Sequence, residues 1–185
     1  SLRIIDCRFD LVKPGWGAST YAEAHVPGAI FANLDTDLSG PVTPDSGRHP
    51  LPSPEAFAVT LGKWGIAPDT EVVAYDQGPG VAAARLWWML RVRGHENVRV
   101  LDGGLACWTG AGFPVSAAVA SFPRTRVSAR PFAGAIDTGA VQRGLAEHAH
   151  FSHALFGVRT AGLEARFAPE ALADHLSGLL IGAEI

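Results

Sequence analysis

Residues 72–88 read VVAYDQGPGVAAARLWW, in which an apolar strand is followed by a glycine-rich loop and then by a helix. Unpaired N–H groups of such a loop, together with the dipole of the following helix, favour a bound anion. Asp76 stands at the first position of the loop. A thiol there could act as a nucleophile, whereas a carboxylate is a poor acceptor of sulfur or phosphate and brings its own charge. The loop therefore indicates an anion site, and its first residue argues against catalysis.

Strands and helices alternate on both sides of this loop. We expect strands near residues 2–5, 72–75 and 98–101, helices over 54–64 and 81–93, a short helix through Trp108, and mainly loops over 14–54. Helices of this length between strands predict an α/β fold, a doubly wound, mostly parallel sheet with helices on both faces. Ligands of such sheets bind beyond the carboxyl ends of the strands, where Asp6, Asp76 and Asp102 fall.

The composition narrows the classes of function. The 185 residues are 48% apolar, and 15 Lys and Arg against 18 Asp and Glu give a net charge of −3. Without a basic surface or a run of roughly 18 apolar residues, we expect no nucleic acid and no membrane as partners. Two cysteines, Cys7 and Cys107, are too few for a disulfide framework and predict a reducing compartment, the cytoplasm. We expect no cofactor.

Residues 78–83 also match the pattern G-x-G-x-x-A, and Asp102 closes the next strand at a plausible spacing. That combination is typical of dinucleotide-binding domains. The pattern usually belongs to the first strand of its unit, whereas here a strand and some sixty residues precede it. A dinucleotide site is therefore the third and most distant interpretation.

Several separate segments carry a family resemblance over residues 3 to about 115. They are Asp6-x-Arg8, Tyr21-x3-His25-Val26-Pro27-Gly28-Ala29, Val72-Val73-x-Tyr75-Asp76, Arg85-Leu86-Trp87-Trp88-Met89-Leu90, Gly94-His95, Val98-x-Val100-Leu101-Asp102-Gly103-Gly104, Trp108 and Gly112-Phe113-Pro114-Val115. In order and spacing they resemble the rhodanese family of sulfurtransferases. The similarity is to the N-terminal, cysteine-less domain of its two-domain members, the thiosulfate and 3-mercaptopyruvate sulfurtransferases.

The resemblance implies a reaction and a set of site residues. In catalytic domains of the family a cysteine heads this loop, takes sulfane sulfur from a donor as a persulfide, and passes it to a thiophilic acceptor. Asp76 occupies that cysteine position here, so we expect no catalytic residue in this chain. Asp76, Gly78, Gly80 and Arg85 are the expected substrate-binding residues, for a small sulfur-containing or anionic substrate.

The resemblance also predicts a domain organisation. We expect a rhodanese-like domain over 1–115, a linker over 116–131, and a truncated or degenerate start of a second rhodanese-like domain over 132–185. Residues 154–160 look like a strand with Gly157 in place of the family's aspartate, and 177–183 echo a family segment without its histidine and proline. Two explanations stay open: a catalytic half missing from this sequence, or a naturally degenerate tail.

Most of the remaining candidates have a structural interpretation. Asp76 can cap the loop by accepting its N–H groups, and Arg85 can face an anion or pair with Asp102. We expect structural roles for Asp6 and Arg8, for His25 beside a tight turn, and for the core residues Trp64, Trp87, Trp88 and Cys107. Cys7 is the best substitute nucleophile, although a small buried cysteine is the usual case. The histidines of 147–153 do not share one face, so we expect no metal site.

Two hypotheses follow. In the first, the chain is the N-terminal portion of a sulfurtransferase, competent only with a second domain that supplies the cysteine loop. In the second, it is a noncatalytic rhodanese-like module that binds an anion or a partner protein. The apolar tail residues around 176–181 would then cover the surface that a catalytic half would otherwise bury.

Overall fold

The computed structural model describes residues 1–44 and 46–132. Over these residues the chain forms four strands and four helices: β1 (Leu2–Asp6), α1 (Trp16–Glu23), β2 (Ala29–Phe31), α2 (Pro54–Lys63), β3 (Glu71–Tyr75), α3 (Val81–Arg91), β4 (Val98–Val100) and α4 (Gly104–Gly110). None of the helices in this described part is long and apolar enough to cross a membrane.

The four strands form one sheet in the order β2-β1-β3-β4, and all three pairings are parallel. In the central pair Asp6 of β1 lies opposite Tyr75 of β3. The carboxyl ends of all four strands therefore meet at one edge of the sheet, which we call the carboxyl edge. Asp6 ends β1, Asp76 follows β3, and Asp102 follows β4 by two residues, as the sequence predicts.

Two apolar clusters cover the two faces of the sheet. The larger cluster packs Phe57 and Leu61 of α2 and Leu86 and Met89 of α3 against one face, where Val72 is fully buried. The second cluster sets Tyr21 of α1 with Tyr75 and Ala29, and Trp108 of α4 packs beside them. Because successive strand residues point to opposite faces, both faces need helices to bury them. The predicted doubly wound α/β fold is confirmed.

The region 14–54, expected to be mainly loops, contains a helix and a strand. α1 begins after Gly15, whose φ is 83°, without a side-chain cap, and β2 is only three residues long. Both lack the capping and alternation signals from which helices and strands are recognised in a sequence. By contrast α2 has the predicted cap, since the Ser53 hydroxyl accepts a hydrogen bond from the Ala56 N–H at 3.1 Å.

Residues 116–131, expected to be a linker, contain no helix and contact the domain at several points. Ser116 exchanges two backbone hydrogen bonds with His25, and the Thr125 N–H donates to the Gly62 carbonyl at 3.1 Å. Phe132 stacks on Trp88 with ring centroids 6.3 Å apart. This segment therefore packs with the helices of the first unit, residues 1–41 and 49–132.

The second compact unit contains residues 42–48 and 133–185. Within its described part the Thr43 N–H donates to the Ser46 hydroxyl at 2.8 Å. The expected strand at 154–160, the echo at 177–183, the histidine cluster at 147–153 and the apolar tail residues all lie outside the described residues.

Candidate functional site at the glycine-rich loop

The carboxylate of Asp76 fills the loop that it heads. One oxygen accepts hydrogen bonds from the Gly78 and Gly80 N–H groups, each at 2.9 Å. The other oxygen accepts from the N–H groups of Ala82 at 3.1 Å and Ala83 at 3.4 Å, in the first turn of α3. Asp76 is only 1% exposed. The amides that would hold an external anion are thus already occupied by a side chain of the same loop.

Glycines allow the loop and the start of α4 to approach each other. A Cβ at Gly104 would collide with the Asp76 carbonyl oxygen and lie 2.9 Å from the Gly78 nitrogen. The Leu105 N–H donates to the same Asp76 carbonyl at 2.9 Å. Gly80 has a φ of 84°, in the left-handed region that a residue with a side chain rarely adopts. Both glycines therefore fix the shape of the loop around the carboxylate.

Arg85 reaches from α3 to the chain that precedes α2. Its guanidinium donates to the carbonyl oxygens of Leu38 at 3.0 Å and His49 at 2.7 Å, with a longer contact to that of Pro50. These hydrogen bonds anchor residue 38 and residues 49–50 to the helix that follows the loop. Its expected part in substrate binding stays a prediction.

Asp6, Arg8 and Tyr75 form a buried polar network near the carboxyl edge. Asp6 accepts hydrogen bonds from the Arg8 guanidinium at 2.8 Å and from the Tyr75 hydroxyl at 2.6 Å. Arg8 also donates to the Ala24 carbonyl at 2.6 Å, and the Val26 N–H donates to the Tyr75 oxygen at 3.1 Å. The network ties β1 and β3 to the turn after α1, which supports the structural roles expected for Asp6 and Arg8.

Tyr75 is the site residue whose role the sequence reasoning missed. Burial, followed by the neighbouring charge of Asp6, raises the pKa of its hydroxyl far above the ordinary value, so the hydroxyl stays protonated and donates. The available signal was the register of a parallel sheet, which sets the ends of β1 and β3, and hence Asp6 and Tyr75, side by side.

The two cysteines occupy opposite environments. Cys7 is 1% exposed, and burial first, then the carboxylates of Asp6 and Asp76, raises its pKa well above the ordinary value. A thiol of this kind is a poor nucleophile, which disfavours Cys7 as a substitute for the family cysteine. Cys107 is exposed on α4, so the expectation that it packs in the core is wrong. The helix α4 has only seven residues, and Gly104 is the one of them that is buried.

His25 is fully buried and bonded to backbone groups on both sides of its ring. Nδ1 lies 2.7 Å from the Tyr21 carbonyl and Nε2 lies 3.1 Å from the Ala118 carbonyl, while the ring stacks on that of Tyr21. The geometry supports the structural role expected for this histidine. Trp64 is buried, and Trp87 and Trp88 are half-buried against the larger core cluster, as expected.

The arrangement has clear chemical consequences. The loop holds one carboxylate with four N–H donors, and none of residues 76–83 carries a thiol or a hydroxyl group. A dinucleotide would find the Gly78 and Gly80 amides already occupied, which disfavours that interpretation. Among residues 1–44 and 46–132, no three histidine, cysteine or acidic side chains are grouped as metal ligands.

Two family models match different parts of the chain. The sequence model described as the rhodanese-like domain matches residues 1–111. A second model, described as 2-keto-3-deoxy-galactonokinase, matches residues 117–185. The interpretation of 132–185 as the start of a second rhodanese-like domain stays a prediction, and this match gives a competing description of the same residues.

Individual relatives cover the N-terminal part of the chain. A probable 3-mercaptopyruvate sulfurtransferase of Pseudomonas aeruginosa is 50% identical over 117 residues, which cover 62% of this chain and 41% of the relative. The 3-mercaptopyruvate sulfurtransferase of Escherichia coli K12 is 40% identical over 113 residues, covering 58% and 38%. The chain thus spans about two-fifths of the length of the curated relatives it matches.

Solved structures agree with these relatives. The crystal structure of SseA from Escherichia coli, a 3-mercaptopyruvate sulfotransferase with the rhodanese fold, superposes with a TM-score of 0.62 at 32% identity, over 77% of this chain and 55% of that one. The 3-mercaptopyruvate sulfurtransferase from Leishmania major gives a TM-score of 0.59 at 34% identity, over 72% and 35%.

Proposed function

Because the chain belongs to the rhodanese-like domain family, we propose that it is the noncatalytic portion of a sulfurtransferase. In this proposal it takes part in transferring sulfane sulfur from thiosulfate or 3-mercaptopyruvate to a thiophilic acceptor, together with a domain that carries the cysteine. The names of its relatives support this reaction class.

One observation carries the noncatalytic role: the Asp76 carboxylate sits on the amides of the loop where, by resemblance, a persulfide anion would sit. A persulfide needs those donors free and a thiol at the loop mouth. Asp76 removes both at once. The loop therefore serves as a rigid wall at the carboxyl edge and not as the place where sulfur is held.

The proposed position of the cysteine-bearing domain is the carboxyl edge beside this wall. The Gln77 side chain donates to the Phe9 carbonyl at 3.1 Å, which places Phe9 next to the loop, two residues before Leu11. Leu11 is 50% and Val12 85% exposed. Exposed apolar side chains beside a site are typical of a surface that another domain or protein covers.

The proposal includes a small sulfur-containing or anionic substrate, no nucleic acid or membrane partner, and a cytoplasmic location. The net charge of −3 and the two free cysteines support these parts.

The test compares the wild-type chain with Asp76→Cys after incubation with thiosulfate or 3-mercaptopyruvate, using intact mass to detect a persulfide. We expect none on the wild type and a persulfide on the new thiol, because four amide donors would hold it as a thiolate. Exposed Cys107 is the internal control for nonspecific sulfur uptake. Peptide mapping assigns the modified cysteine. A persulfide on Cys7 of the wild type, or none at position 76 of Asp76→Cys, would contradict the proposal.

The second candidate is a noncatalytic module that binds a partner protein through the same apolar residues, Leu11 and Val12. It requires no capacity of the loop to stabilise sulfur. Failure of Asp76→Cys to load sulfur while the variant stays folded would favour this candidate.

A further inference from the structure

A pocket lies near the amino ends of β3 and β4, whereas Asp76 lies at the carboxyl end of β3. It has a volume of about 140 Å³ and is bounded by the segment before β3, the segment before β4 and the extended residues 126–130. Its apolar wall includes Leu61, Ile66 and Leu90. Its charged lining residues are Arg93, Arg126 and Arg130, and His95 and Ser128 also line it.

Arg93 is a buried charge, and no carboxylate of the described residues is bonded to it. It is only 7% exposed, and Nη2 donates to the Ser128 carbonyl at 3.1 Å. Nε and Nη1 are buried and have no hydrogen-bond partner within the described residues. The guanidinium also lies over the Phe57 ring, 5.1 Å from its centroid. One carbonyl and one aromatic ring do not offset the free-energy cost of burying the Arg93 charge, since unpaired buried charges are costly.

The charge of neighbouring Arg130 makes the burial of the Arg93 charge still less favourable. Burial, followed by the like charge of Arg130, lowers the pKa of Arg93, and the attraction of Glu55 only partly opposes these effects. Within residues 1–44 and 46–132, neither Arg126 nor Arg130 makes a hydrogen bond or ion pair with its side chain. Three guanidinium groups thus line one small cavity. Their positive charges repel one another, and a bound anion would reduce this repulsion.

We propose that this pocket binds a tetrahedral oxyanion, phosphate or sulfate, either free or as the end group of a small organic molecule. Arginine forks match the paired oxygens of such anions. The volume is about ten times the roughly 10–15 Å³ that a single water needs, and well below the roughly 300 Å³ of larger ligand sites. The apolar wall accommodates a short carbon skeleton.

The site is separate from the glycine-rich loop. The pocket residues at 66–68 and 93–95 precede β3 and β4, whereas Asp76 follows β3. The length of the five-residue strand, about 16 Å, therefore separates this side of the pocket from Asp76. Binding here makes no use of the loop amides or of a cysteine. The inference therefore goes beyond the proposed function and does not depend on it.

The experiment is a calorimetric titration of the full chain with inorganic phosphate and with sulfate, at an ionic strength held constant with sodium chloride. We expect saturable binding of one anion per chain. The double variant Arg126→Gln/Arg130→Gln should weaken it by about tenfold or more, because two charge-assisted contacts are lost. Both side chains are exposed, so the fold should survive.

Arg124→Gln is the matched control, since Arg124 lies on the same extended segment and does not line the pocket. It should leave the dissociation constant within about twofold, as expected for a charge screened by solvent. No saturable binding, or equal weakening by Arg124→Gln and the double variant, would overturn the proposal. Glycerol phosphate, titrated in parallel, distinguishes the sources: tighter binding than phosphate indicates an organic ester, and equal binding a free ion.

Discussion

Asp76 is held by four N–H groups that belong to two structures at once, the loop and the first turn of α3. We expect Asp76→Ala to lower the free energy of unfolding by about 2 kcal/mol or more, because these donors lose their acceptor at a helix N-terminus. Urea unfolding measures the change.

Asp76→Asn is the conservative control for this prediction. It keeps one oxygen acceptor without the charge, and we expect an intermediate stability. Formate should raise the stability of Asp76→Ala more than that of the wild type, since only the variant has an open anion cradle. Equal stability of Asp76→Ala and wild type would refute the proposed cap.

The thiols should differ in reactivity by environment. We expect iodoacetamide to modify Cys107 in the native chain and to reach Cys7 only in urea, because Cys7 is buried with a raised pKa. Peptide mass spectrometry of labelled wild type and Cys107→Ser identifies the modified residue. Rapid native labelling of Cys107→Ser would show that Cys7 is accessible after all.

His95 gives a pH dependence with a definite sign. Burial lowers its folded-state pKa below the ordinary 6.5, so the unfolded chain binds this proton more readily. The stability contributed by the neutral ring is present above about pH 6.5 and is lost as the pH falls below it.

Urea unfolding at pH 7 and pH 5 tests this dependence in wild type and His95→Gln. We expect the wild type to lose more stability between pH 7 and pH 5 than the variant does. The contribution of the other histidines is the same in both proteins and cancels in the comparison. An equal loss in both proteins would rule out His95 as the source.

The sequence located the loop and the capping role of Asp76, because both depend on local chain geometry. The contacts of Arg85 were not predictable in the same way, since they are made to carbonyls up to 47 residues away. Cys107 was misjudged because a cysteine next to Trp108 resembles a core position, and only the packing of α4 shows which side faces outwards.

At the scale of elements, the start of α4 is pressed against the loop. We expect Gly104→Ala to cost about 3 kcal/mol or more, because its Cβ collides with the Asp76 carbonyl in addition to the strain of a φ of 55°. Gly80→Ala is the matched control: its φ is 84°, but nothing lies within 4 Å of its Cβ. It should cost only about 1–2 kcal/mol.

Thermal or urea unfolding of the two variants gives the comparison. If Gly80→Ala is as destabilising as Gly104→Ala, the close approach of α4 contributes nothing beyond backbone strain.

Elements differed in how well the sequence predicted them. α2 and α3 carry a cap or a glycine entry and a run of apolar positions, so both were located within two residues. α1 and β2 were missed because α1 has no capping side chain and β2 is held by its parallel pairing with β1, a tertiary contact that local sequence does not encode.

At the scale of the whole molecule, the boundary between the two parts of the chain is informative. The kinase-family match begins at residue 117, yet residues 116–132 bond to His25 and Gly62 and stack on Trp88 within the rhodanese-like unit. A break in family similarity therefore does not coincide with a break in packing. Pro123 and Pro131, with small residues between them, predict a linker, whereas the stacking of Phe132 on Trp88 has no local signature in the sequence.

The chain carries the rhodanese fold, and the Asp76 carboxylate occupies the N–H groups of its glycine-rich loop, which is the basis of the proposed noncatalytic role. The most direct test is thiocyanate production by the wild-type chain from thiosulfate and cyanide, with Cys7→Ser assayed beside it. The account predicts no thiocyanate above the rate without protein for either chain. Catalytic turnover by the wild type that disappears in Cys7→Ser would contradict it.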